Sequence, residues 1–528
     1  MPFWRLSVNA DWTSSTITST EAMANELRTG VLLNYCSAGL RLLTGLFLTP
    51  FIITSLGTNE YGLFLLSNSV ITWLALSDLG LGSTVTRFVT CYQAEEKYEQ
   101  EAHFLGQSIM LFSLIAFITL QAGLISYLYL GNIFPGLGEN NLSTLKVLFL
   151  LTLSNLVIAI PLRPLSCVPA AYKKFIVPGV FGLVISLLNA GLTAGLLLLG
   201  FKAIGLTVLS VCLGAANLLW GLYYTLNVLK VRVTFRWPDM KLYREMIGFS
   251  VWVFLNQLMD MFYWQAGAPI LARSCGTTAV AVFTLGISFS TYFMTASTAI
   301  SSVLSPGLMQ MVSKQATPEE LTQAMIRAGR MQLSLLCIIL SGFAFLGQDF
   351  LKLWVGNSMG EQVYSIWLGA LLVLVPLVVP LTQNTGIAIL QGMKLHHGRA
   401  IILLISSAIC VVLGYFMSLY LGPLGMFAGT AISLICGQII LINIYYHRKA
   451  RLDTALFFRN TFRPMLSPLL ILAAAGALLN FLIPLNTWGL FLTTALVYAI
   501  FSAFVIYVLY LTPKERRKII HLRGEKIE

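Results

Sequence analysis

The chain alternates long apolar runs with short polar stretches. Runs of spanning length fall near 31–54, 61–81, 105–130, 145–168, 176–200, 204–228 and 246–272. Others follow near 279–303, 331–349, 363–391, 400–421, 425–446, 464–485 and 489–511. About 20 apolar residues cross the hydrocarbon of a bilayer as a helix. Backbone groups at that depth must bond within their own segment, so the runs predict helices rather than an open sheet. The pattern therefore predicts an all-α polytopic membrane protein with 14 transmembrane helices.

The polar stretches fix the expected sides. If both termini face the cytoplasm, 27 of the 33 Lys and Arg residues fall in cytoplasmic segments. Only Lys146, Lys202, Arg273 and Lys352 fall opposite, while Arg41 and Arg163 lie inside spans. Such a bias is the usual mark of cytoplasmic loops. Residues 1–30 are then a cytoplasmic tail, 31–228 hold helices 1–6, and 229–245 form a basic cytoplasmic linker. Helices 7–12 occupy 246–446, a second basic linker 447–463, helices 13–14 464–511, and a basic cytoplasmic tail 512–528. The polar, Ser/Thr-rich start and Arg41 within the first run argue against a cleaved secretory signal.

Composition narrows the function. Hydrophobic residues make up 57% of the 528 and charged residues 10%, against about 25% charged in soluble chains. A soluble enzyme is excluded. The net charge of +12 is absorbed by the sidedness of the loops, and no basic stripe with interleaved aromatics points to nucleic acid. Eight scattered cysteines form no CxxC pair, so they read as packing residues rather than as disulfides or metal ligands. There is no Gly-Lys dipeptide and hence no phosphate loop of an ATPase. The outer loops are short and lack a DxD pair or histidine, so no catalytic residue is expected. All five histidines lie in or beside cytoplasmic segments, which argues against a buried histidine relay.

The two halves look alike. Leu56-Gly-Thr-Asn-Glu-Tyr-Gly-Leu-Phe-Leu-Leu-Ser-Asn-Ser69 aligns with Cys275-Gly-Thr-Thr-Ala-Val-Ala-Val-Phe-Thr-Leu-Gly-Ile-Ser288 at an offset of 219. Lys174 and Lys394, Gly205 and Gly425, and the Tyr-Tyr pairs at 223 and 445 keep offsets of 220 to 222. This pattern predicts two pseudo-symmetric six-helix lobes with helices 13 and 14 appended. The lobes would be parallel repeats with substrate between them.

Polar groups within spans are the candidate site. Arg41 shares one helix face with Asn34, Ser37 and Thr44. A central Arg costs roughly 2.5–3.5 kcal/mol to insert. It reads as a cavity cation, with a structural Arg held by carbonyls or a carboxylate as the bland alternative. Asn256, Asp260, Tyr263 and Gly267 form a second face. Asp260 reads as a cation site, as the counter-ion of Arg41, or as one half of a plain salt bridge. Thr284, Ser288, Thr291, Thr295 and Thr298 form a hydroxyl stripe, for which close helix packing is favoured over a hydrated lining. Arg163, between Pro161 and Pro164, either faces the cavity or snorkels to the interface. Pro376 and Pro380 before Thr382-Gln-Asn-Thr385 predict a broken tenth span.

The segment Leu48-Thr-Pro-Phe51, Leu56-Gly57, Glu60-Tyr-Gly62 and Leu76-Ser-Asp-Leu-Gly-Leu-Gly-Ser-Thr-Val-Thr-Arg87 resembles the bacterial polysaccharide transporter family. These are Wzx-type oligosaccharide-lipid flippases of the multidrug/oligosaccharidyl-lipid/polysaccharide exporter (MOP) superfamily. The resemblance implies transport of undecaprenyl-pyrophosphate-linked repeat units from the inner to the outer leaflet of the cytoplasmic membrane, by alternating access of two lobes. It implies a central cationic cavity, with Arg41 in the position of a cavity cation, and Asp78 and Arg87 as a cytoplasmic gate or helix-end pair. Partners would be membrane lipids and the polymerase and glycosyltransferases of the same glycan pathway. No cofactor is expected beyond a coupling ion, H⁺ or Na⁺, for which Asp260 is the candidate site. The competing readings are a multidrug antiporter of the same superfamily, a membrane polysaccharide polymerase or ligase, and a non-transporting scaffold.

Overall fold

In the computed structural model the chain is helical, with no strand among the described residues. The structure describes residues 14–237, 239–393, 395–513, 515 and 516. Most side chains before Leu42, and those of Phe249, Trp252, Val303 and Pro306, lie outside the description.

Helix α1 (Ser14–Ala75) covers the first two apolar runs. As a straight rod its 62 residues would reach about 93 Å, some three times the hydrocarbon thickness. It breaks instead at Gly57, where φ is 76° and ψ is 161°. Only glycine takes up that backbone without strain. A 3-10 turn over Leu76–Asp78 leads into α2 (Leu81–Ala94). The stretch after residue 81, expected as a loop, is helical because Leu81, Val85 and Val89 recur at helical spacing and bury one face.

The first repeat continues through α3 (Tyr98–Ile133), α4 (Glu139–Ala171), α5 (Ile176–Leu198) and α6 (Ala203–Tyr223), which runs on as a π-helical turn to Val228. The second holds α7 (Met240–Trp264), α8 (Gly267–Ser274), α9 (Thr277–Ser313) and α10 (Pro318–Met359). Next come α11 (Gln362–Thr382), α12 (Asn384–Gly392), α13 (His396–Leu421), α14 (Pro423–Ser433) and, beyond a π-helical stretch, α15 (Ile442–Lys449). A short α16 (Thr454–Thr461) precedes α17 (Leu466–Leu482) and α18 (Trp488–Leu509).

Twelve helical segments among the described residues are long and apolar enough to cross a membrane. The first two runs enter this set as the single segment Leu42–Asp78, and the seventh run, split between α7 and α8, is outside it. The chain is a multi-pass membrane protein.

Two compact units are drawn from both repeats. One comprises residues up to Thr49, Ser77–Ile125 and Leu150–Val251; the other comprises Pro50–Leu76, Ser126–Phe149 and Trp252 onward. The core of the first unit is built on Leu81, Val85, Phe104, Phe112, Ile160 and Val168. In the second unit, glycines let backbones meet. A Cβ on Gly425 would overlap the Met417 carbonyl, and one on Gly429 would overlap the Gly414 backbone, so α13 and α14 pack closely.

The repeat shows in the backbone of the second unit. Gly276, the partner of Gly57 at an offset of 219, has φ 87° and ψ 179°. The two glycine turns touch: Thr277 Oγ1 donates to Asn59 Oδ1, and Gly62 lies under the Thr277 carbonyl, where a side chain would clash.

Candidate functional site

Within the first unit, the Leu-Ser-Asp-Leu-Gly motif makes a tight corner between α1 and α2. Leu79 and Gly80 both take positive φ, and the Gly80 amide donates to Asp78 Oδ1 at 3.0 Å. This corner holds the Asp78 carboxylate almost fully buried. Its other oxygen meets Arg163 Nη1 at 2.5 Å, and the Arg163 side chain keeps 45% of its surface exposed. A buried carboxylate needs such a partner. Asp78 therefore pairs with Arg163, a partner that neither reading of that arginine included, while Arg87 lies exposed on α2.

The prolines around Arg163 do not end α4, but they free carbonyls. Pro169 has no N–H to give Leu165, and the Thr225 hydroxyl of the π-helical turn bonds that carbonyl at 3.1 Å. Ser37 is half-buried on α1. Asn34 and Arg41 lie on the same helix, but their side chains are outside the described residues.

The second unit holds the other acidic site. Asn256 and Asp260 present exposed side chains one turn apart on α7, and Tyr263 is buried a turn further on. Asp260 interacts electrostatically with Arg399, in the first turn of α13. Arg399 also faces Tyr446, and both line a cavity of about 20 Å³ with Gln383, Gln438 and Leu403. That space suits about one water molecule. In the sequence Arg399 is inconspicuous as a site residue, since it sits one residue before the predicted span at 400 and counts as a loop charge. Its one signal was its place, next to an apolar run that α13 extends backward.

The break in the tenth span is present. α11 ends at Thr382 and α12 begins at Asn384, with Gln383 between them outside the helical region. Side chains take up the backbone and amide groups there. Gln383 exchanges hydrogen bonds with Asn443 at 2.8 and 3.2 Å. Ser297 donates to the Leu381 carbonyl, and Asn384 donates to Ser301. Such irregular backbone is tolerated only where protein or water satisfies it.

The hydroxyl stripe on α9 is open rather than packed: Thr291, Thr295 and Thr298 are exposed, and Thr284 and Ser288 half-buried. Ser288, Thr295 and Thr298 turn their hydroxyls back to carbonyls one turn earlier, leaving a mildly polar face. Among the described residues no group of three or more His, Cys, Asp or Glu side chains is placed to hold a metal ion.

This arrangement of helices has counterparts among solved membrane transporters. The chain is similar in fold to the lipid II flippase MurJ in an inward closed conformation, with TM-score 0.69 and 16% identity, over 93% of this chain and 100% of that one. It is also similar to an inward-facing multidrug resistance MATE family transporter, with TM-score 0.64 and 15% identity, over 76% of this chain and 93% of that one. Residues 56–363 match the polysaccharide biosynthesis protein family, and the chain belongs to it. EpsK of Bacillus subtilis (strain 168), described as an uncharacterized membrane protein, is 23% identical over 488 residues, 90% of this chain and 93% of EpsK. Helices and family together make this a multi-pass protein of the bacterial cytoplasmic membrane.

Proposed function

We propose that the chain is a flippase that carries undecaprenyl-pyrophosphate-linked oligosaccharide from the cytoplasmic to the outer leaflet by alternating access. The observation that carries this reading is a partly uncovered guanidinium beside the acid in each unit, Arg163 with Asp78 and Arg399 near Asp260. An exporter of cationic drugs needs free carboxylates, whereas here each of these acids has a cation at hand. Pyrophosphate is a concentrated anion that cannot cross hydrocarbon unaided, and the planar fork of Arg matches its oxygens. The broader fold likeness to a lipid flippase, over 93% of the chain against 76% for the drug transporter, supports a lipid-linked cargo. Arg41, with Asn34 and Ser37, is proposed as a further contact for the anion, and Asn256 as a contact for sugar hydroxyls.

Coupling follows from the same groups. When phosphate engages Arg399, Asp260 loses its counter-charge and becomes the group to take up H⁺ or Na⁺. The test is leaflet transfer of a defined undecaprenyl-pyrophosphate oligosaccharide in proteoliposomes. Losing one charge-assisted contact costs about 1.5–3 kcal/mol, so Arg41→Ala and Arg399→Ala should each slow transfer at least tenfold. Asp260→Asn should remove the dependence on an ion gradient. Gradient-driven export of a cationic dye without lipid-linked transfer would replace this reading with that of a drug antiporter.

A further inference from the structure

The linker after α6 is a built strap rather than a loose connection. The Thr234 amide donates to the Ala102 carbonyl at 3.0 Å, and Gly106 of α3 lets the strap approach, since a Cβ there would overlap the Thr234 carbonyl. Fully buried Gln107 pins the next turn: its amide donates to the carbonyls of Arg236 and Trp237 at 2.9 and 2.8 Å, and its oxygen accepts from the Asp239 amide at 3.1 Å.

Between this strap and the first turn of α3 lies a cleft of about 590 Å³, within the ~300–1,000 Å³ range of small-molecule sites. Lys230, Arg232 and Arg236 line it, together with Glu99, Glu101 and Tyr172. Glu101 is only 2% exposed. One of its oxygens accepts from the Tyr172 hydroxyl at 2.8 Å. The other, Oε2, is buried with no hydrogen-bond partner among the described residues. Leaving a buried carboxylate oxygen unmet is costly, and the group calls for a donor from outside the chain. The basic side chains around it call for an anion.

Phe235, Trp237 and Met240 are 63%, 93% and 75% exposed along the same strap. Exposed aromatics flanked by Lys and Arg are the composition of a segment lying at the headgroup level of a membrane. We infer that this cleft binds the head group of an anionic glycerophospholipid of the cytoplasmic leaflet. The phosphate lies among Lys230, Arg232 and Arg236, and a headgroup hydroxyl donates to Glu101 Oε2. Bare phosphate satisfies the cations but not the carboxylate; the phosphoglycerol of phosphatidylglycerol satisfies both.

The test is native mass spectrometry of the full-length protein, delipidated in detergent and titrated with phosphatidylglycerol or phosphatidylcholine. The expected result is one tightly retained phosphatidylglycerol, preferred at least tenfold. Arg232→Ala/Arg236→Ala should abolish the preference, whereas Arg448→Ala/Arg451→Ala in the other basic linker should keep it. A circular-dichroism melt close to that of the wild type shows that each variant is folded. Equal retention of the two lipids, or equal loss in both double variants, overturns the site as general electrostatics. Glycerol 3-phosphate displacing the lipid at equal concentration overturns the lipid as its occupant in favour of a soluble phosphate ester.

Discussion

Asp78 shows how one residue serves both the local chain and the bilayer. Its carboxylate caps the Gly80 amide and holds Arg163 at 2.5 Å while itself buried. Removing one partner of such a pair strands a buried charge, at a cost of about 3–5 kcal/mol. Arg163→Ala should therefore lower thermal stability markedly, and Asp78→Asn/Arg163→Ala should recover most of the loss. Additive losses in that double-mutant cycle would show that the pair is not coupled. Gly57 and Gly276 give a second test at this scale. A methyl group added to either would meet nothing within 4 Å, so substitution there is opposed by backbone conformation alone. Alanine at either should cost a similar ~1–3 kcal/mol in detergent melts. Gly62→Ala, which drives a methyl into the Thr277 carbonyl, should be worse than both.

Among the elements, α10 and the segment after α18 are tied by one arginine. Arg330 is nearly buried on α10, and its Nε and Nη2 donate to the two oxygens of Glu515 at 3.0 and 3.1 Å. It also donates to the carbonyls of Asn460 and Tyr510 and lies over the Tyr510 ring at 4.2 Å. Burial alone pushes the Glu515 carboxyl up, but hydrogen bonds from Arg330 and Thr512 outweigh it and hold the group below its ordinary 4.5. A depressed folded value means that the clamp is fully stabilising above the unfolded value and is lost as pH falls through the folded one. Acidification below about pH 4.5 should thus lower the melting temperature of the wild type more than that of Glu515→Gln. Proteolysis of the C-terminal segment should quicken over the same range. Equal acid sensitivity of the two proteins would remove Glu515 from the account.

For the molecule as a whole, the second unit joins ends of first-repeat helices to the second repeat. Thr54 bonds Ser358 at 3.0 Å, Ser69 donates to the Gln265 carbonyl at 3.1 Å, and Arg273 donates to the Ile133 carbonyl at 3.2 Å. By the charge bias of the loops, the Thr54–Ser358 and Arg273–Ile133 contacts are expected on the outer side. If the chain works by the proposed alternating access, the Thr54–Ser358 contact opens in each cycle. Cysteines at 54 and 358, in a background with the eight native cysteines replaced, should stop transfer on oxidation and restore it on reduction. Undiminished transfer by the cross-linked protein would exclude opening at this seam.

Periodicity and charge alone determined that the chain is a multi-pass helical protein and where its apolar runs lie, because hydrocarbon leaves the backbone no other way to bond. The Gly57–Gly276 correspondence and the break at Gln383 were legible too, since glycine and proline restrict the backbone locally. Partnership was not legible. That Asp78 faces Arg163, that Asp260 lies near Arg399, and that Glu101 shares a cleft with Lys230, Arg232 and Arg236 depend on residues 85, 139 and over 100 positions apart. Sequence spacing within one helix fixes which side chains share a face. Only packing between helices decides which charge a face meets.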